Sequence, residues 1–478
     1  MSSIKKNFIY NLSITLAQYV AGLIVFPHVS RCLGVELMGK TSFATNVVAY
    51  FSLFALLGAS VVGAREVAIC RDDFKKRSAV YSSVMAVILV LSMISLVAMT
   101  VSVFLIPKFY DCRLLLLIGS FSLIFTSLQI EWLYQGIQKF EYIAKRSILV
   151  KAIYCISIFL FVKDQSDYLI YYSLTVFSVV LNGIINLLYS RRYVKFSLNE
   201  VQFKKFLKPI CMFGVNKVLI SMYTTVNVLY LGIVCNDVEV GYYSTANKLF
   251  AILLGVISAF TTVILPKMSS MAAEKNMNDF NALVSKSFSL ILSVSIPICI
   301  GGIVLAQDII QLLAGSGYEG AIIPMQIIMP VIVLTGAAQV CIMQVLIPLK
   351  KDKVVLYASA IGAASAMLLN FLFVGKLGAT GSALVLLLSE LFSGVFAFRY
   401  AVKQKVLVLP WSFIIKRCFS SIPYIIICYV FGHMLAINGF IALVLSILLC
   451  AIYYFIESLY ILKLPLFLKF ISYSNSNR

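Results

Sequence analysis

A chain of 478 residues with 61% hydrophobic and only 12% charged side chains has too little polar surface to cover a soluble core, which excludes soluble enzymes and soluble binding modules. The net charge of +20 is distributed as the orienting charge of a membrane protein, so no nucleic-acid partner is expected. Two histidines and eleven scattered cysteines with no C-x-x-C spacing offer no metal cluster or disulfide framework, and no cofactor is expected.

The apolar residues fall in runs of about 17–25, the length of a membrane-spanning helix. They lack the alternation of a membrane strand. The predicted fold is an all-α polytopic membrane protein of about fourteen transmembrane helices, roughly 8–28, 41–63, 79–106, 113–133, 147–162, 168–190, 209–234, 244–266, 285–306, 322–346, 355–375, 378–401, 415–435 and 439–462. The fifth run is short, and Pro423 interrupts the thirteenth. The opening MSSIKKNF leads straight into the first run without a small-residue cleavage pattern, so that run is expected to be a retained span.

In the first predicted helix Asn11, Thr15, Gln18 and Gly22 recur at helical spacing and form one stripe. His28 and Arg31, at its outer end, either guard a cavity mouth or meet lipid phosphates. Glu131 and Lys151 lie on consecutive helices at similar depth and read as a structural ion pair. The seventh helix carries Asn216, Lys217, Ser221, Tyr223, Thr224 and Asn227 on one arc. Lys217 sits about 12 Å in from the cytoplasmic end at 1.5 Å per residue, too deep to snorkel comfortably. The eighth places Ser244, Lys248, Gly255, Ser258 and Thr262 on one face, with Lys248 nearer the outer end. A charge in hydrocarbon costs roughly 2.5–3.5 kcal/mol on insertion scales, so both lysines read as cavity-lining. For the Ser, Thr and Gly positions, hydrogen bonding and packing between helices is the preferred reading.

The external loop Gly315-Ser-Gly317-Tyr-Glu-Gly320 matches G-x-G-x-x-G without a preceding strand and has no dinucleotide meaning. Glu390, in the middle of the twelfth helix, has no obvious partner. It reads either as a proton-carrying coupling residue or as a neutral acid hydrogen-bonded to a neighbouring helix. Glu457, near the cytoplasmic end, reads as interfacial.

With the N-terminus inside, most of the 39 Lys and Arg fall in cytoplasmic segments, and only Arg31, Lys40, Lys108, Arg113, Lys163 and Lys376 fall outside. That bias predicts both termini in the cytoplasm and an even number of spans. No connection is long enough to fold alone. Gly39, Ser42, Ala44 and Asn46 recur 202 residues later as Gly241, Ser244, Ala246 and Lys248. This same-sense repeat predicts two pseudo-symmetric six-helix lobes, 1–195 and 209–401, joined by a basic linker at 196–208 and followed by two further helices and a tail at 402–478.

Val240-Gly-Tyr-Tyr-Ser-Thr-Ala-Asn-Lys248 with Ile264-Leu-Pro-Lys267 resembles the central signature of bacterial polysaccharide exporters of the O-antigen flippase (Wzx-like) type. These belong to the multidrug/oligosaccharidyl-lipid/polysaccharide exporter superfamily. Arg31-Cys-Leu-Gly34 with Gly39, Leu313-Ala-Gly-Ser-Gly-Tyr318 and Gly378-Ala-Thr-Gly-Ser-Ala383 are similar to the same family. The resemblance implies a multi-pass protein of the bacterial inner membrane. Its work would be to move an undecaprenyl-diphosphate-linked oligosaccharide from the cytoplasmic to the periplasmic leaflet by alternating access.

Implied partners are the lipid-linked oligosaccharide, membrane lipids, and the polysaccharide polymerase and chain-length machinery. Lys217 and Lys248 would meet the diphosphate; Asn216, Asn227, Asn11 and Gln18 would meet the sugars, with Arg31 at the mouth and Glu390 for ion coupling. The alternatives within the superfamily are a lipid II flippase, expected to carry more arginine in its N-terminal cavity, and a multidrug/cation antiporter, expected to carry carboxylates there. A membrane glycosyltransferase or polymerase is disfavoured by the absence of a large external domain.

Overall fold

The structure, a computed structural model, describes residues 3–274, 276–404, 411–431 and 439–462. His433, Lys275, Lys405, Lys463, Lys469 and Arg478 lie outside the described residues, as do the side chains of Asn11 and Thr262. All described elements are helical, as hydrocarbon demands of a backbone whose polar groups must pair within the chain. Among the described residues nine helices are long and apolar enough to cross a membrane, or ten if one bent pair counts as a span. The chain divides into two compact units, Met1–Gly241 and Tyr242–Arg478.

In the first unit α1 runs Ser3–Leu56, with a break only at Gly34, where φ is 73° and ψ 171°. Fifty-four helical residues would measure about 80 Å against a hydrocarbon layer of about 30 Å. The chain therefore has to turn at Gly34, in a conformation open to glycine. The loop expected over 29–40 is thus a glycine break inside one element.

There follow α2 (Ala59–Ile69), α3 (Phe74–Leu105), α4 (Pro107–Asp111), α5 (Arg113–Ser127), α6 (Glu131–Gly136), α7 (Phe140–Phe161), α8 (Tyr168–Ser190), α9 (Phe203–Ser221) and α10 (Thr225–Val234). α1 packs on α3, α5, α7 and α10, while α2 packs on α6 and α9. A core of Val62, Val67, Tyr81, Val84, Trp132 and Ile210 ties α2, α3, α6 and α9 together. Residues 209–234, assigned by the repeat to the second lobe, therefore lie within the first unit.

α11 (Asp237–Ala273) begins in the first unit, and there the repeat shows itself physically. A Cβ on Gly39 would strike the backbone carbonyl of Asp237, and one on Gly241 would strike the carbonyl of Val35. Val35 and Asp237, like Gly39 and Gly241, are 202 residues apart, so equivalent segments touch reciprocally. Only glycine lets two helix backbones approach this closely.

The second unit continues with α12 (Met277–Val304), α13 (Ala306–Leu313), α14 (Ile322–Gln339), α15 (Asp352–Leu369), α16 (Gly375–Lys403), α17 (Trp411–Ser420), α18 (Ile422–Tyr429) and α19 (Gly439–Ile456). α14, α15 and α19 each run on into a π-helical stretch: Val340–Leu346, Asn370–Val374 and Glu457–Ile461. α14 packs on α12 and α16, and α18 packs on α12 and α19. Gly378, with φ 55°, breaks the run from α15 into α16, where two spans were predicted end to end.

Candidate substrate cavity

The predicted seventh span is not one helix. α9 and α10 meet at a 47° bend across residues 222–224, in the middle of the polar stripe. A broken helix exposes carbonyls that lipid cannot satisfy, so it is tolerated where protein or a cavity surrounds it. Here Ser221 Oγ donates to the carbonyl of Val218 (2.7 Å) and Thr224 Oγ1 to that of Ile220 (3.1 Å), covering the end of α9.

Along α9, before the break, lies a cavity of about 400 Å³ within the first unit. Its polar lining is Thr45, Ser52, Ser122, Thr126, Tyr172, Thr175 and Lys217, set among aliphatic residues such as Val48, Leu53 and Leu57. Among the described residues Lys217 is the one cation on this wall and no carboxylate shares it; its Nζ donates to Ser60 Oγ at 3.2 Å. An ammonium in a mostly apolar pocket with hydroxyls around it suits a ligand that is anionic at one end and hydroxyl-rich at the other.

Of the other residues predicted for the cavity, Asn216, Asn227, Gln18 and Arg31 are not on this wall. Asn216 is half-buried, with an Oδ1 that meets no donor among the described residues, and Asn227 is fully buried. Gln18 and Arg31 are exposed. His28 Nε2 donates to the carbonyl oxygen of Val162 at the end of α7 (2.8 Å). Its ring also packs on Phe159 at 4.6 Å, which makes it a tie between α1 and α7. Asn46, the counterpart of Lys248, donates to the Ser42 carbonyl one turn back (2.9 Å).

The expected Glu131–Lys151 pair is corrected. Glu131 pairs with Arg146, whose other nitrogen donates to Asn182 Oδ1 at 2.7 Å, while Lys151 lies 5.4 Å over the Tyr154 ring. Five residues separate Arg146 from Lys151, which turns the lysine about 140° around α7 and away from Glu131. Arg146, counted as a cytoplasmic orienting charge, is buried inside the helices instead.

In the second unit Lys248 is half-buried on α11. Farther along the same helix Ser258, of the predicted stripe, accepts from Gln339 Nε2 (2.9 Å), and Thr261, which the stripe did not include, donates to Gln339 Oε1 (3.1 Å). Glu390 faces Thr335 across the α14–α16 contact. Glu457, expected to be interfacial, does not face outward. It is fully buried, ion-paired with Arg417 and receiving hydrogen bonds from Ser420 and Tyr424 (2.5 Å for the tyrosine). Arg417 also donates to the Ser293 carbonyl at 2.7 Å, which fastens α17, α19 and α12 together. Sequence reasoning missed both buried arginines; a Ser-Ser-x-x-Tyr run after Arg417 was the one available signal.

A family model described as "Polysaccharide biosynthesis protein" matches residues 4–272. A curated protein of Escherichia coli (strain K12), described as "Putative O-antigen transporter", is 25% identical over 423 residues, covering 85% of this chain and 98% of that protein. A protein of Shigella dysenteriae with the same description is 23% identical over 410 residues, covering 84% and 100%. Among solved structures, "Lipid II flippase MurJ, inward closed conformation" superposes with a TM-score of 0.74 at 18% identity, covering 94% of this chain and 98% of that one. An inward-facing multidrug resistance MATE family transporter of the MOP superfamily superposes at 0.58 with 15% identity, covering 84% and 98%.

Proposed function

The chain belongs to the polysaccharide biosynthesis protein family, and from that premise we propose that it is a flippase for an undecaprenyl-diphosphate-linked oligosaccharide. It would carry an O-antigen or similar surface repeat unit from the cytoplasmic to the periplasmic leaflet of the inner membrane. The observation that supports this most directly is Lys217, among the described residues the single cation on a hydroxyl-bearing cavity wall along a broken helix. A diphosphate is dianionic or more at neutral pH and needs a fixed positive partner in a low-dielectric site, and the surrounding hydroxyls offer hydrogen bonds to sugar. Among the described residues that wall carries no carboxylate, which speaks against an organic-cation antiporter, and no arginine, which speaks against a lipid II specialist.

The remaining roles follow the same reading. Lys248 takes the head group later on its path, with Asn216 and Asn227 near the broken helix, Asn11 and Gln18 on α1, and Arg31 at the outer mouth as further substrate contacts. By the repeat, residues 1–195 and 209–401 are the alternating halves, linked by 196–208 and followed by 402–478, with 209–234 packed within the first unit. Fourteen crossings result if α1–α2 and α15–α16 each cross twice, α9–α10 crosses as a bent pair, and α7 and α11 cross singly. Glu390 couples the cycle to a proton.

The test is export of surface glycan in cells lacking the native protein, at matched expression. Lys217→Ala is expected to lower export about tenfold or more, the loss of one charge-assisted contact to the head group. Lys217→Arg should keep much of it. Wild-type export from Lys217→Ala would overturn the cationic-cavity reading. In the same cells, Glu390→Gln should lose its response to collapse of the proton gradient; an unchanged response removes Glu390 from coupling.

A further inference from the structure

A second cavity in the first unit, about 1050 Å³, is built differently from the one at Lys217. Lys40, Lys108 and Arg113 line it together with Asp111 and Asp237. These three are half of the six cations that the charge bias leaves on the outer side, where cations are selected against. Their gathering in one cleft calls for a reason.

The charges do not all cancel. Lys108 Nζ stands 2.8 Å from Asp237 Oδ1 and over the Phe43 ring at 5.8 Å, so that pair is closed. The Arg113 guanidinium lies 4.5 Å over the Tyr110 ring, which orients it without neutralising it. Arg113 and Lys40 then face a single remaining carboxylate, Asp111, and the cleft keeps a net charge of +1. Its walls are apolar: Leu96, Val103 and Phe104 of α3 and Leu114 and Leu117 of α5. Phe104 and Leu117 are 75% and 64% exposed, so the cleft is open sideways where hydrocarbon lies.

We propose that this cleft binds an acidic membrane phospholipid, its phosphate held by Arg113 and Lys40 and its acyl chains along α3 and α5. A cationic end joined to a laterally open apolar slot matches an anionic lipid in both parts. A free phosphate would use only the first. The proposal is independent of the transport reading. Only the choice of the outer leaflet rests on the termini-inside topology.

The full-length protein, purified in mild detergent and titrated with phosphatidylglycerol or phosphatidylcholine, can be read for bound lipid by native mass spectrometry. Wild type is expected to retain phosphatidylglycerol over phosphatidylcholine. Lys40→Ala/Arg113→Gln should lose that preference by about ten- to thirtyfold, and Lys376→Ala, a cation outside the cleft, should keep it. Asp111→Asn raises the net positive charge and should raise retention, which guards against a double variant that merely unfolds. Equal retention of the two lipids by wild type, unchanged preference in the double variant, no gain in Asp111→Asn, or displacement of the lipid by inorganic diphosphate at equal concentration would each overturn the proposal. None of these readouts involves transport, so they stand or fall apart from the flippase reading.

Discussion

At the scale of single residues, the charges buried among the helices were the hardest thing to read in advance. Residue type and depth marked Glu131 as needing a cation, and two cations followed on the next helix. The choice between Arg146 and Lys151 depends on which side of α7 faces α6, and that is set by packing far from either residue. The same limit hid Arg417 and Glu457, 40 residues apart and held together by Ser420 and Tyr424. Lys217 was legible because depth alone made it anomalous.

The Arg146 pair gives an asymmetric prediction. Its side chain is 4% exposed and that of Glu131 38%, so removing the acid strands a buried cation, whereas removing the cation leaves an acid that reaches solvent. Glu131→Gln should therefore destabilise by about 3 kcal/mol, Arg146→Ala by less, and Lys151→Ala by under about 1 kcal/mol. Thermal midpoints in detergent check the order; a Lys151 effect equal to that of Glu131 would restore the pair that sequence reasoning favoured.

At the scale of elements, hydrophobic runs located the helices, but glycine decided how they join. Run length cannot say whether a polar interval is a loop or a break, which is why 29–40 looked like a connection and is helical apart from Gly34. Nor does it reveal the bend in the seventh span, because Ser221 and Thr224 fold back onto their own helix and leave no turn signal. The repeat was legible, down to the pair Gly39 and Gly241. What it could not show is that these two glycines sit in a reciprocal backbone contact.

That contact predicts a contrast within α1. Gly39→Ala puts a methyl into the Asp237 carbonyl, and backbone cannot give way as a side chain can, so the loss should be about 1–3 kcal/mol. Gly22→Ala meets nothing within 4 Å and should be neutral or slightly stabilising, since alanine loses less freedom in a helix. Comparable thermal midpoints for the two variants would show that the close approach does not hold in solution.

At the scale of the whole molecule, the remaining question is which side is inside, and charge is the argument that bears on it. Arg146 and Arg417 must be withdrawn from the orienting set, since both are buried against carboxylates. The withdrawal costs the argument little. Arg191, Arg192, Lys195, Lys204, Lys205 and Lys208 are all exposed, in the segment before and at the start of α9. On the opposite side, Lys40, Lys108 and Arg113 are drawn into a cleft where carboxylates and aromatic rings meet them. On the predicted topology the exposed cations of 191–208 share one side, against Arg31, Lys163 and Lys376 exposed on the other, and the positive-inside rule then proposes the side of 191–208 as cytoplasmic.

On that topology the start of α3 and the segment before α8 lie on opposite faces of the membrane, and cysteines placed there report it. In a background without native cysteines, Ser166→Cys should react with a membrane-impermeant thiol reagent applied to spheroplasts, and Lys75→Cys should react only after permeabilisation. Both positions are exposed, so access is set by the membrane and not by packing. The opposite pattern would invert the protein, place the basic segment at 191–208 outside, and reverse the direction of transport proposed for it.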